Sequence, residues 1–220
     1  MSVFIEKQHL AYFPVPKNAC SSMKVMLYDA FNNDVFLTKQ DDITINTIHD
    51  AIPTRNFVFI PQSRYADCFK FAIVRDPIER LLSSYSNRVM FHRELDSNRV
   101  DQNIASALHL KTPPTIDEFL LNINEYRILS SSIRHHSDPT AVFLGPNLKM
   151  FDKIYRMSEL PQILDDLKKL TGRSLSLPKI QKSEKKIYFN DLGKNAKVAA
   201  LNFCMADYGY LCDYYAPPEY

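Results

Sequence analysis

Two stretches of the chain carry residue types and spacings suited to holding an anion. The first is Pro16-Lys17-Asn18-Ala19-Cys20-Ser21-Ser22-Met23-Lys24, where an apolar run ends, small residues follow and a helical pattern begins. Backbone N–H groups at a helix N-terminus lack intrahelical partners and carry partial positive charge, so an anion docks there readily. Ala19 and Cys20 allow close approach to that backbone, Ser21 and Ser22 offer hydroxyl donors, and Lys17 places a full charge at the mouth. The pattern G-x-x-x-x-G-K-[ST] is absent and the lysine precedes the turn, so this is not a Walker A loop. A strand-to-helix turn with a serine cap and an exposed lysine fits the same residues. The second stretch runs from Val74-Arg75-Asp76-Pro77 through Ser83-Ser84-Tyr85. Arg75 leaves an apolar run at its end, where a guanidinium fork can grip a phosphate bidentately. Ser83 falls about two turns along the helix that follows. Asp76 reads as the cap of that helix and as an i, i+4 partner of Arg80, which leaves Arg75 and Ser83 unexplained.

Elements that could position these residues follow from hydrophobic period and punctuation. His9 to Phe13 is an apolar run stopped by Pro14 and Pro16, a strand ending in a loop. From Ser21 the period becomes helical, with Met23, Met26, Leu27, Ala30 and Phe31 on one face and an end near Asn32-Asn33. Ile43 to Ile48 reads as a strand with His49 just beyond it, and Phe57 to Ile60 as a further strand. Phe69 to Arg75 is apolar enough for a strand buried on both faces of a parallel sheet. Asp76-Pro77 opens a helix with a buried stripe of Ile78, Leu81, Leu82, Tyr85 and Val89. Thr115 to Glu118 is a capping box ahead of Phe119, Leu120 and Ile123. Lys153 to Met157 suggests a strand, Leu160 to Leu170 a helix capped by Gly172, and Asp191 to Tyr208 a last helix carrying Val198, Leu201 and Met205. Strands alternating with helices predict an α/β fold with a mainly parallel sheet, whose ligands bind beyond the carboxyl ends of the strands.

Taken together, the two loops resemble the nucleotide-binding signatures of the sulfotransferases: P-K-x-x-x-[ST]-S near the start, then R-D-P-x-x-R-x-x-S after a buried strand. The variant, with Cys20 in one loop and Val74 to Leu81 in the other, resembles the carbohydrate sulfotransferase branch. Arg134-His135-His136, Phe151 to Arg156 with Glu159-Leu160, and Asp207-Tyr208-Gly209-Tyr210 are similar to later segments of that branch. The resemblance spans most of the chain. It implies a P-loop-like three-layer α/β sandwich, with a mainly parallel central sheet flanked by helices, as a single domain over residues 1–220. It also implies transfer of a sulfuryl group from 3′-phosphoadenosine-5′-phosphosulfate (PAPS) to an acceptor hydroxyl on a carbohydrate or glycolipid, with 3′-phosphoadenosine-5′-phosphate (PAP) as product and no metal. By the same resemblance Asn18, Ala19, Cys20, Ser21 and Ser22 cradle the 5′-phosphosulfate, and Lys17 neutralises the leaving phosphate. Arg75 and Ser83 hold the 3′-phosphate.

A sugar hydroxyl is a poor nucleophile at neutral pH and needs a general base. Among six histidines, His49 is the first choice, because it lies between the two phosphate loops where related enzymes place one; a histidine hydrogen-bonded at a strand end reads the same way, and a Glu or Asp base stays open. His135 and His136 are assigned to the acceptor. Lys179, Lys182 and Ser183 fall in a basic stretch, where Lys182 is the one set against the 3′-phosphate by analogy with a late basic loop; a solvated lysine-rich loop is the alternative. A formal charge of +2, from 27 Lys+Arg and 25 Asp+Glu, argues against a general polyanion or nucleic-acid binder, so any anion site is local. Four cysteines without C-x-x-C spacing read as reduced thiols of a cytoplasmic protein. The first residues lack a cationic start and apolar run, and no stretch approaches the about 20 apolar residues of a membrane span. Two rivals stand beside the transferase: a catalytically inert PAP-binding module and an ATP-dependent phosphotransferase.

Overall fold

The structure is a computed structural model, and it describes residues 3–31, 45–178 and 186–219. In chain order its elements are β1 (Val3–Ile5), β2 (Leu10–Phe13), α1 (Cys20–Phe31), α2 (Ile45–Ala51), β3 (Phe69–Val74), α3 (Pro77–Ser84) and α4 (Gln102–Ala107). There follow α5 (Ile116–Leu121), α6 (Ile123–Leu129), α7 (Ser131–Ser137), α8 (Thr140–Leu144), β4 (Lys153–Arg156), α9 (Leu160–Thr171) and α10 (Lys194–Tyr210). The chain divides into two compact units, Met1–Arg75 with Thr140–Lys182 and Asp76–Pro139 with Ser183–Tyr220.

The first unit is built on a sheet of order β1-β2-β3-β4. β2, β3 and β4 are parallel, with Phe13 opposite Ala72 and Ile73 opposite Tyr155, and β1 is an antiparallel edge strand on β2. The α/β class with a mainly parallel sheet is the one the sequence predicts. β3 lies between two parallel neighbours, and Phe71 to Val74 are wholly buried, as its apolar composition requires. Leu10, Tyr12, Phe71, Ile73 and Tyr155 share one core with Met23, Met26 and Leu27 of α1 and Ile163 and Leu167 of α9. Phe13 meets the rings of Tyr65 and Phe151 at 5.6 and 5.0 Å. Asp166 of α9 fastens that helix to β4, accepting from Lys153 Nζ at 2.7 Å and Tyr155 Oη at 2.9 Å. Gly172, at φ 70°, ends α9 as a left-handed cap with its N–H on Lys168 O.

Two strands expected in this unit are something else. Residues 45–51 form the helix α2; Ile43 and Thr44 lie outside the described residues. Ile45 and Ile48 stand i, i+3, a spacing that suits a helix as well as a loose alternation. Phe57–Phe59 is a single 3-10 turn between Pro53 and Pro61, with Val58 and Phe59 exposed and no strand beside it in the sheet. The end of α1 near Asn32-Asn33 also falls outside the described residues.

The second unit is helical. Asp76 caps α3, its carboxylate accepting from Glu79 N at 3.0 Å, and Pro77 occupies the first turn. The expected stripe of Ile78, Leu81, Leu82, Tyr85 and Val89 is buried, and beyond Ser84 the helix widens into π-helical winding over Tyr85–Phe91. It packs with Phe119 and Leu120 of α5, Tyr126 of α6, Ile133 of α7 and α10. The Thr115–Glu118 capping box is formed. α10 buries Ala196, Ala200, Leu201, Cys204 and Tyr208 and leaves Met205 exposed, so its inward face lies on the small residues beside Leu201 and not on Met205. Arg80 does not pair with Asp76. It is buried, binds Asp207 at 3.0 Å and donates to Asp138 O at 2.6 Å, while Asp76 accepts from Tyr208 Oη at 2.9 Å. An interior guanidinium needs a partner that is buried with it, and Asp207 supplies one.

Candidate functional site

The site is assembled at the carboxyl ends of β2 and β3 in the first unit. β2 delivers the chain into Pro14–Ala19, in which Lys17 and Ala19 both take left-handed backbone, at φ 69° and 56°. Each costs an L-residue roughly 1–2 kcal/mol, so the surrounding contacts must hold the turn in place. Asn18 does this: it is wholly buried, and its Nδ2 donates to Ile73 O of β3 at 2.9 Å. Its Oδ1 is buried with no protein partner.

The first intrahelical bond of α1 runs from Met23 N to Ala19 O at 3.0 Å. Ser21 and Ser22 therefore stand inside the first turn, and neither is the serine cap that a plain strand-to-helix turn would have here. The N–H groups of Cys20, Ser21 and Ser22 precede that bond and have no carbonyl within the helix to satisfy them. β3 ends beside them. Arg75 Nη1 donates to Lys17 O at 3.3 Å, so the guanidinium and the loop lie together. Lys17, Ser21, Ser22 and Arg75 are each partly exposed.

His49 sits on α2, not at a strand end as expected, and reaches the start of α1. Its Nε2 is 2.8 Å from Ser21 Oγ, and its Nδ1 is 3.2 Å from Lys24 Nζ. Lys24 also donates to Thr54 Oγ1 at 2.8 Å. Lys24 is wholly buried, and loss of hydration pushes its ammonium down from 10.5 to about 8, with Cys20 opposing. Sequence reasoning missed Lys24 and Thr54. The signal for Lys24 was its i, i+3 spacing from Ser21, which puts both on one helix face; Thr54 had none.

The remaining predicted residues lie elsewhere. Ser83 is on α3 of the second unit, partly buried. His135 and His136 are on α7 of the same unit, their rings 5.3 Å apart and perpendicular, and His136 Nδ1 donates to Ser132 O at 2.8 Å. Lys182, with Lys179 and Ser183, lies outside the described residues. Among the described residues no group of three or more His, Cys, Asp or Glu could hold a metal ion. No helix of the described residues is long and apolar enough to cross a membrane.

A family model described as "Sulfotransferase family" matches residues 2–202 of the chain. Neither a curated protein nor a solved structure matches it significantly.

Proposed function

Since the chain belongs to the sulfotransferase family, and so to a family of sulfuryl transferases, we propose that its donor is PAPS and its acceptor a hydroxyl on a carbohydrate or glycolipid. The observation that carries this reading is the bond from Arg75 to Lys17 O, which joins both signature loops at neighbouring strand ends. A nucleotide with charge at its ribose and at its sulfated end asks for such a pair of cation-bearing loops.

In this reading the free N–H groups of Cys20, Ser21 and Ser22 bind the 5′-phosphosulfate, and Ala19 lets it approach. Buried Asn18 keeps the loop in register. The acceptor oxygen attacks sulfur in line and gives up its proton to a general base, the role expected of His49; the new S–O bond forms as the bridging S–O bond to the 5′-phosphate breaks. Negative charge then gathers on the departing PAP, beside Lys17. Such a transfer is accelerated by positioning and charge stabilisation more than by covalent help. Arg75 takes the 3′-phosphate. Assignment of Ser83 and Lys182 to that phosphate, and of His135 and His136 to the acceptor, rests on the resemblance alone. His49 reaches the loop through Ser21 and Lys24, and those contacts support a place for it in the machinery.

Calorimetric titration with PAP and with ATP tests the proposal. PAP is expected to bind well ahead of ATP, and Arg75→Ala to abolish the preference while the protein stays folded. Equal affinity for both nucleotides would favour an ATP-dependent phosphotransferase. Tight PAP binding without turnover of labelled PAPS on any glycan or lipid acceptor would favour an inert binding module.

A further inference from the structure

Nothing in the roles above accounts for a wholly buried lysine and a threonine behind Ser21. A buried ammonium is costly, and it persists where its hydrogens find acceptors. Lys24 finds two, Thr54 Oγ1 and His49 Nδ1. Even with burial opposing its charge, it titrates at about 8 and is a cation at neutral pH.

A charged lysine has three hydrogens and no lone pair, so it donates in both contacts. The nitrogen that accepts from it bears no proton. His49 Nδ1 is therefore bare, and the ring is neutral, since an imidazolium carries hydrogen on both nitrogens. The one ring proton sits on Nε2 and points along the 2.8 Å contact to Ser21 Oγ. Ser21 accepts there, which leaves its own hydroxyl hydrogen to donate elsewhere, in the turn whose N–H groups are unsatisfied. The opposite polarity would spend that hydrogen on His49 and turn oxygen lone pairs toward any anion.

We propose that Lys24, anchored by Thr54, is a positioning residue that holds His49 in its Nε2–H form, so that His49 donates to Ser21 and the Ser21 hydroxyl hydrogen is kept for an anion at the start of α1. The proposal rests on the nucleotide reading of this loop and deepens it. It also constrains the proton abstraction expected of His49. A nitrogen that already holds a proton takes no second one while Lys24 donates to Nδ1, and the ring becomes a base only once Lys24 is discharged.

The experiment uses the full chain with ¹⁵N-labelled histidine at pH 7 without nucleotide. Two-bond proton–nitrogen correlation spectra identify the protonated ring nitrogen, and His49→Ala assigns the signals among the six histidines. The expected result is hydrogen on Nε2 and a bare Nδ1. Lys24→Met, nearly isosteric and uncharged, should let Nδ1 protonation appear and weaken PAP binding about tenfold, the loss of one charge-supported hydrogen bond. Hydrogen on Nδ1 in the parent protein overturns the proposal, and so does an unchanged proton position in folded Lys24→Met. If that variant does not fold, the spectrum of the parent decides by itself. A parent protein with Nε2–H that fails to bind PAP keeps the lysine–histidine lock and refutes the nucleotide reading.

Discussion

Lys17 stands partly exposed on left-handed backbone at the mouth of a loop, whereas Lys24 is sealed within α1. Their charges act on different quantities. In the proposed transfer Lys17 faces charge that develops only as the leaving phosphate departs, so its contribution would belong to the transition state. Lys17→Ala should lower kcat on labelled PAPS by on the order of 10²–10³-fold, the loss typical of one such donor, and weaken PAP less than tenfold. A variant with near-normal turnover ends that role. Lys24 instead makes stability depend on pH. The folded chain releases its proton near 8 and the unfolded chain near 10.5, so between these values the unfolded state holds more protons and stability rises with pH. Below about 8 the burial cost is present in full, about 3 kcal/mol. Urea unfolding at pH 7 and pH 10 should show the parent gaining on Lys24→Met by up to that amount. An equal difference at both pH values would contradict it. Motif spacing singles out Lys17, Ser21 and Arg75 in the sequence; no motif singles out Lys24, since one lysine in a helical pattern looks like any solvated one.

Elements with local chemistry of their own were read correctly. Asp76 caps α3, Thr115 and Glu118 close a capping box and Gly172 ends α9, because each depends on residues within one turn. β3 was legible for another reason: a strand flanked by two parallel neighbours is buried on both faces and becomes an unbroken apolar run. Phe71 is its central packing unit, stacked on Tyr12 at 5.2 Å and edge-on to Tyr155 at 6.0 Å. Phe71→Ala should cost about 3–5 kcal/mol in denaturant unfolding, and a loss below about 1 kcal/mol would mean that the core collapses around the gap. α2 and the turn at Phe57–Phe59 were misread as strands. Their apolar residues are too few to separate a period of two from one of three or four, and only the neighbouring sheet decides.

At the scale of the molecule, a formal charge of +2 means that the proposed nucleotide would have to be held by a few placed groups and not by a general field. PAP at a hundred times its dissociation constant should add about 2.7 kcal/mol to stability, while adenosine without phosphates should add little. Equal shifts from both would place the affinity in the base and sink the role of the two loops. Composition, period and motif order were enough to determine the α/β class, the parallel sheet and the family to which the chain belongs, because they act over short stretches of chain. The tertiary structure alone decided that Arg75 meets the carbonyl of Lys17, that Arg80 turns to Asp207 and that Ser21, Lys24, His49 and Thr54 share one chain of hydrogen bonds. Such contacts join residues far apart in sequence, and their geometry is set by how strands pair and helices pack, which no local spacing encodes.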